Sequence, residues 1–403
     1  MKENISVLNS TYVIDGVTMD LTPAEILDDC LRMPQGEAKS NPALEQSSVK
    51  TTFDPIVDET TDPSPALSTI DDISPEECLE KVMPLLGSPK GCSSCYSGPY
   101  TKGIIAKTLL DCLWMHGHFR LSDLLLTAKW RWATKPLGNM AGFYYSVEAA
   151  SEYMQGLGIG LKEYSFKESD KACCVDFKVG TIARNVGNIV GNINEYDDEE
   201  IFDLSGNNPF GSDHPSIGTR RAITSKLAAD PDSWLIYVPF DTCDFRLGNS
   251  LLGKALGKNV DIFPELGDAD YFMDCFEVVR EFVEDKIAVS AISVAGGGLL
   301  SALKLMISDG IGATVDISGI MNSYDEKNLL RVLFSEIPGV LLQVKDADYD
   351  YIDAEFLLQD VAYYPIGHPV LNQDKIAVKN VRNPKISDIL LSLMSSQASE
   401  GED

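Results

Sequence analysis

Three consecutive glycines form the clearest candidate for a ligand-binding turn in this sequence. Gly296, Gly297 and Gly298 lie between Ile287–Val294, which is predicted to be a strand, and Leu299–Ile307, which is predicted to be a helix. Glycine allows a ligand to approach the backbone closely, and the free N–H groups at a helix start favour an anion. The turn is therefore a candidate nucleotide-binding or anion-binding site, although a glycine turn alone is a weak signal.

A short basic cluster lies beside two tryptophans. The cluster comprises Arg120, Lys129, Arg131 and Lys135, and it adjoins Trp130 and Trp132. Lys129 and Arg131 are candidates for binding an anion or the acidic surface of a partner. The alternative is that these cations pair with the protein's own surplus carboxylates, as exposed charges commonly do.

The cysteines and histidines give little support for a metal site. Nine cysteines are an odd number spread along the chain, which is not the pattern of a disulfide scaffold. Cys92 and Cys95 have CxxC spacing, so a redox pair or half of a zinc site are the functional alternatives to plain loop cysteines. Zinc needs two further ligands, and no histidine lies beside a second CxxC. His116 and His118 are interpreted as turn residues and His214 as a surface-loop residue, with a catalytic role as the alternative for His214.

Apolar periodicity predicts a mixed α/β fold, of the α+β type, from about residue 100 onward. In Ala269–Lys286 the apolar residues recur every three or four positions, as on one face of a helix. Helical segments alternate with short β-branched runs, which is typical of a mixed domain. The predicted helices are Ile104–Leu113, Ser146–Met154, Ala269–Lys286, Leu299–Ile307 and Glu326–Phe334, and the predicted strands are Ser233–Phe240, Ile287–Val294, Ala313–Ile317 and Val340–Val344.

The first 80 residues differ from the remainder in charge. They carry 17 acidic and 4 basic side chains, whereas the whole chain carries 61 and 33 and has a net charge of −28. Short apolar runs among Ser, Thr, Pro, Asp and Glu predict a largely extended or disordered arm. The alternative is a docking arm with one or two short helices, such as Thr22–Leu31, where Thr22 and Glu25 have capping-box spacing. The predicted organisation is an acidic arm over 1–88, domains over 89–230 and 231–385, and a polar tail over 386–403, with a loop over 197–215.

Charge and hydropathy exclude several classes of partner. The negative surplus repels nucleic acid and anionic membrane surfaces. No stretch approaches 18 consecutive apolar residues, and the start of the chain lacks a basic region followed by an apolar core. We therefore predict a cytoplasmic protein with no nucleic acid partner and no membrane partner.

The segments around the glycine turn and the basic cluster resemble a known family, phosphoribosylformylglycinamidine synthase, a large amidotransferase of the purine pathway. The similar segments are Asn249–Leu256, Val283–Met306 and Leu333–Val344 on the C-terminal side, and Leu121–Trp132, Gly138–Val147 and Gly156–Ile159 on the N-terminal side. They resemble the two domains of the second synthetase-like half of that family, over about residues 91–170 and 231–370. The resemblance implies a two-domain aminoimidazole ribonucleotide synthetase-like fold, in which two units pair through their N-terminal domains.

The sequence departs from the family at the motifs that the resemblance implies for ATP and magnesium. The polar residues of the family are replaced by Ile292, Ser293 and Ala295 before the last glycines, by Lys129, by Asn139 and Met140, and by Tyr164–Lys167, and Arg131 stands where the family has Met. Packing residues such as Trp130 and Gln343 are retained. Glu336 and Asp316 are the carboxylates nearby in sequence, and we interpret them as a helix-end and a strand-end residue.

These departures predict a non-catalytic scaffold or assembly protein, derived from the synthase, that acts through dimerisation and through an acidic arm docking a protein partner. No cofactor is expected. The homodimer is expected because one isolated unit would present an apolar sheet edge and face, which is an aggregation liability. The alternative is an ATP-dependent, amide-activating ligase or nucleotide-binding subunit of purine biosynthesis, which would need ATP and magnesium.

Overall fold

The computed structural model describes eight segments of the chain, and the fold below refers to them. They are residues 4–31, 53–61, 73–87, 91–115, 119–170, 172–181, 221–257 and 261–379. The predictions for His116, His118 and His214, for the loop over 197–215 and for the tail over 386–403 lie outside the described residues.

Within these segments, helices and strands alternate. The helices are α1 (Asn4–Asn9), α2 (Pro23–Asp28), α3 (Pro75–Val82), α4 (Ser97–Leu110), α5 (Asn139–Gly156), α6 (Leu251–Leu256), α7 (Ala269–Glu284), α8 (Gly298–Met306), α9 (Ser318–Ser323), α10 (Leu329–Phe334) and α11 (Tyr349–Leu358). The strands are β1 (Tyr12–Ile14), β2 (Val17–Thr18), β3 (Ile56–Asp58), β4 (Leu124–Trp132), β5 (Gly160–Glu168), β6 (Cys174–Thr181), β7 (Trp234–Pro239), β8 (Ala288–Val294), β9 (Ile311–Asp316), β10 (Gly339–Val344), β11 (Tyr364–Leu371) and β12 (Ile376–Lys379). Every helix and strand predicted from periodicity is present, which confirms the mixed α/β class.

The C-terminal part is built on a sheet with both faces covered. Its described strands run in the order β12-β9-β11-β7-β10-β8, and neighbours are antiparallel except β12 and β9. Along β7, Ile236 and Val238 join one hydrophobic cluster, whereas Leu235 and Tyr237 join a second cluster on the opposite face. Because side chains alternate between the faces, a doubly covered strand needs an uninterrupted apolar run. Such uninterrupted apolar runs explain why β7 and β10 could be predicted from the sequence.

The N-terminal part is a sheet covered on one side. Its described strands run β5-β4-β6, with β5 parallel and β6 antiparallel to β4. Trp130 is buried on the inner face, where its ring meets Phe143 of α5 edge-on at 6.2 Å and Phe177 of β6 at 5.9 Å. Lys129 and Arg131 alternate with the buried tryptophans and are exposed on the other face. The period of two along β4 therefore places the basic cluster in solvent.

The described parts of the arm are folded against the body, which corrects the prediction of a largely extended arm for those residues. β1 pairs with β2 and β3, and Tyr12 of β1 is fully buried 5.3 Å from the ring of Tyr144. The predicted helix is confirmed as α2, with a complete capping box between Thr22 and Glu25, although it ends at Asp28. Short apolar runs cannot form a core alone, but they bury their side chains once the body supplies the opposite surface.

Helix α3, within the predicted arm, also contributes to the core. In α3, Cys78 and Val82 are fully buried and belong to the second hydrophobic cluster, so folded structure precedes residue 90. No helix among the described residues is both long enough and apolar enough to cross a membrane.

Candidate functional site

The glycine turn lies between a strand and a helix, as predicted, but other parts of the chain occupy the space beside Gly298 where a ligand would approach. It connects β8 to α8, and Gly297 and Gly298 have φ angles of +82° and +72°. A Cβ atom on Gly298 would lie 2.6 Å from the Cα of Phe334 and 2.7 Å from the carbonyl oxygen of Leu333. The close backbone approach that glycine permits is therefore made by the end of α10.

The anion expected at this turn is supplied by the chain itself. Oε1 of Glu336 accepts hydrogen bonds from the backbone N–H of Gly297 at 3.1 Å and from that of Leu251 at 2.6 Å. Glu336 lies two residues beyond the end of α10, which agrees with its interpretation as a helix-end residue. Sequence reasoning missed its role, because nothing along the chain indicates that this carboxylate returns to a turn about 40 residues upstream.

A second internal carboxylate lies at the other helix start that carries a family motif. Asp58 of β3 is buried and accepts hydrogen bonds from Gly138 N at 2.9 Å, Met140 N at 2.8 Å and Ala141 N at 3.0 Å. A carboxylate is favourable there because the first N–H groups of a helix are unpaired and the helix dipole is positive at that end. Asp58 belongs to the acidic arm, so the arm contributes directly to the structure of the body.

The position where Ser293 replaces a family carboxylate is tied into a polar network. Ser293 Oγ donates to Asp111 Oδ1 at 2.9 Å and accepts from Trp114 Nε1 at 2.7 Å, and Lys107 Nζ donates to Asp111 Oδ2 at 3.0 Å. Arg221 lies over the Trp114 ring at 5.9 Å, and burial lowers the pKa of this guanidinium. The network joins the end of α4 to β8, and its polar atoms bond to one another.

The carboxylate at the turn, Glu336, is bonded to backbone N–H groups. Magnesium needs oxygen ligands, usually with one or two carboxylates. Within the described segments, no group of three or more His, Cys, Asp or Glu side chains is placed to hold a metal ion. Asp316 bonds instead to the N–H and hydroxyl of Ser318 at the end of β9, as expected for a strand-end residue. The hydroxyls of Ser301 and Ser335 are buried without a hydrogen-bond partner among the described residues.

The predicted basic cluster lies apart from the glycine turn. Arg131 Nη2 is 2.7 Å from Asp176 Oδ2, and the nearby Asp176 carboxylate raises the pKa of Arg131. Lys135 Nζ lies 3.9 Å from Asp170. Pairing with the protein's own carboxylates is thus observed for these two cations. No hydrogen bond or ion pair within the described residues joins Lys129 or Arg131 to Gly296, Gly297 or Gly298.

The CxxC cysteines lie at a turn and a bridge. The backbone of Cys92 forms an isolated antiparallel β-bridge with the backbone of Cys173. Cys95 lies in the 3-10 turn Ser94–Tyr96. The Sγ of Cys92 donates to the carbonyl of Ser93, and the Sγ of Cys95 lies 3.0 Å from the Ser93 hydroxyl. All nine cysteines are free thiols. The interpretation as reduced cysteines agrees with these contacts.

Comparisons with known proteins support the resemblance. Residues 240–371 match the family described as AIR synthase related protein, C-terminal domain. The chain is 25% identical over 260 residues to the probable phosphoribosylformylglycinamidine synthase, chloroplastic/mitochondrial, of Arabidopsis thaliana, covering 64% of this chain and 16% of that protein. It is 24% identical over 250 residues to phosphoribosylformylglycinamidine synthase of Homo sapiens, covering 62% of this chain and 17% of that protein. The structure of T. maritima PurL complexed with FGAR has a TM-score of 0.51 at 12% identity, over 72% of this chain and 43% of that chain.

These matches confirm the resemblance and the fold. The likeness to the solved structure shows the synthetase-like fold alone, because its sequence identity is low. The matched region spans about one sixth of the length of the curated relatives. The activity of those much longer proteins does not transfer to this chain by similarity alone.

Proposed function

Since this chain contains an AIR synthase-like fragment related to phosphoribosylformylglycinamidine synthase, we propose that it is a non-catalytic scaffold or assembly protein. It keeps the fold of its relatives and uses its former ligand positions for internal contacts. Two carboxylates of the chain support this proposal. Glu336 bonds to the glycine turn and Asp58 bonds to the start of α5, so both helix starts that carry family motifs are already capped.

A phosphate group would have to displace these carboxylates before it could bind. Each carboxylate accepts charge-assisted hydrogen bonds from backbone N–H groups, which are stronger than bonds between neutral groups. If Glu336 or Asp58 stayed in place, its negative charge would also repel the phosphate. Ligand binding at either position therefore competes with the folding of the chain, whereas a scaffold benefits from the added rigidity.

We expect ATP with magnesium to leave the melting temperature unchanged and to release no phosphate. A ligand at about 100 times its dissociation constant would stabilise the folded state by about 2.7 kcal/mol, which a thermal-shift assay detects readily. The same sample serves for a phosphate-release assay.

A positive result in both assays would favour the ligase alternative. Turnover that disappears in Glu336→Gln or Asp316→Asn, but persists in the exposed control Glu265→Gln, would show that ligands had moved to new positions. That pattern would contradict the scaffold proposal.

The homodimer stays a prediction, and its expected reason needs revision. On the β5-β4-β6 sheet, the face opposite to buried Trp130 carries exposed Lys129, Arg131 and Lys167 instead of apolar side chains. Exposed apolar side chains are found on α11, where Leu357 and Leu358 are 69% and 75% exposed.

We expect sedimentation equilibrium at micromolar concentration to give twice the chain mass of 44.0 kDa. A stable monomer would contradict the dimer. Docking of a partner by the arm and a cytoplasmic location also stay predictions.

A further inference from the structure

One face of the β5-β4-β6 sheet is polar, and no described helix or strand covers it. Residues that are Cα partners across neighbouring strands share a face, and β4 places its odd-numbered residues from 127 to 131 outward. The open face is defined here by Glu163, Ser165 and Lys167 of β5, Thr127, Lys129 and Arg131 of β4, and Cys174, Asp176 and Lys178 of β6. The helices α4 and α5 pack on the opposite face, so the described chain leaves this surface to solvent.

The open face has the opposite sign of charge from the protein. It carries four basic side chains and two carboxylates, a net charge of +2, whereas the chain has a net charge of −28. At physiological ionic strength, charges farther away than about 8 Å are largely screened. A partner that contacts this face therefore experiences mainly its local positive charge.

Like charges lie next to each other at the centre of the open face. Lys167 is the cross-strand partner of Arg131, and Lys129 lies two residues before Arg131 on the same face. Arg131 is paired with Asp176, but the described residues give neither Lys129 nor Lys167 an ion-pair partner. Neighbouring like charges on a sheet are destabilising. Carboxylates supplied from outside would relieve this repulsion.

We propose that the open face binds a carboxylate-rich segment of a partner protein. A second copy docked through the same face would bring Lys129, Arg131 and Lys167 against their own equivalents, which like-charge repulsion disfavours. A uniform polyanion such as nucleic acid would meet Glu163 and Asp176 on the face, whereas a peptide can place neutral side chains against these two carboxylates. This inference goes beyond the proposed function, because the open face is separate from both capped helix starts and would serve an enzyme equally well.

The test measures binding of a fluorescein-labelled peptide of about ten residues, in which glutamates alternate with serines, to the full chain by anisotropy. We expect binding at about 0.15 M ionic strength, where a Debye length of about 8 Å screens the negative surplus of the rest of the chain, and weaker binding at about 1 M, where the Debye length falls to about 3 Å. The double variant Lys129→Glu with Lys167→Glu is expected to bind at least about tenfold more weakly, equivalent to about 1.4 kcal/mol.

The matched control is Lys327→Glu with Lys345→Glu, which makes the same change in net charge at exposed lysines elsewhere. It is expected to bind within about twofold of wild type if the open face, and not total charge, decides affinity. Thermal melting separates binding from folding. Lys167→Glu places a carboxylate opposite Arg131, whereas Lys129→Glu places one opposite Asp176, so the two effects should largely cancel and leave the melting temperature of the double variant near that of wild type.

Four outcomes would overturn the proposal. They are absence of peptide binding at about 0.15 M ionic strength, equal loss in both double variants, tighter binding of an oligodeoxynucleotide of the same charge, and self-association of the wild type that the Lys129→Glu and Lys167→Glu pair abolishes. The last two would assign the open face to nucleic acid or to a second copy.

Discussion

Replacing Asp58 by alanine is expected to destabilise the folded protein by about 3 kcal/mol. The change leaves three N–H groups at the start of α5 without their acceptor, and each buried unpaired group costs about 1–3 kcal/mol unless water reaches it. It also removes the side-chain bonds from β3 to Gly138, Met140 and Ala141, although β3 stays paired with β1. Urea unfolding followed by circular dichroism measures the loss.

The control for Asp58 is its exposed neighbour, Glu59. Glu59→Ala removes one negative charge from the same strand end and is expected to change stability by less than about 0.5 kcal/mol. Asp58→Asn should fall between the two, since the amide keeps one acceptor oxygen but loses the charge at the helix start. Faster hydrogen exchange at Met140 and Ala141 in Asp58→Ala would locate the damage. Equal stability of Asp58→Ala and wild type would show that Asp58 does not hold the arm to the body.

Replacing Gly298 by alanine is expected to destabilise the protein by about 3 kcal/mol as well. Part of this loss, about 1 kcal/mol, comes from the positive φ angle, which alanine adopts with strain. The larger part comes from collision, because the new Cβ would lie 2.6 Å from the Cα of Phe334, and backbone atoms cannot move aside as a flexible side chain can. The melting temperature and the urea midpoint should both fall.

Gly158 provides a matched control for this glycine. It has a φ angle of +66°, and a Cβ there would meet nothing within 4 Å. Gly158→Ala should therefore show only the conformational part of the loss, about 1 kcal/mol. If Gly298→Ala lost no more stability than Gly158→Ala, the end of α10 would not pack tightly against the turn. Space for a ligand would then exist there.

The two predictions together would give these family motifs a structural role that does not depend on a bound ligand. Gly298 is required where α8 packs against α10, and the start of α5 requires an acceptor for its N–H groups. Both requirements are structural and independent of catalysis. A glycine turn or a helix start in a sequence therefore indicates backbone geometry more reliably than it indicates a bound phosphate.

Periodicity predicted the elements of the body because their burial repeats along the chain. In α7, Phe272, Cys275, Phe276 and Val279 are all fully buried, as the helical spacing of apolar residues predicts. The starts of α4 and α5 were placed too late, since glycine and small polar residues in their first turns interrupt that spacing. The boundaries predicted for the two domains and the arm stay predictions. The described arm segments are nevertheless folded, because they pack against surfaces of the body that composition alone does not reveal.

The sequence by itself determined the α/β class, the positions of the core helices and strands, the capping box at Thr22 and the resemblance at the glycine turn. These features depend on neighbours within a few residues, where spacing along the chain equals proximity in space. Only the tertiary structure decided that Asp58 caps α5 and that Glu336 caps the glycine turn. Each carboxylate meets N–H groups 39 or more residues away in sequence, and such a pairing depends on how the elements pack against one another.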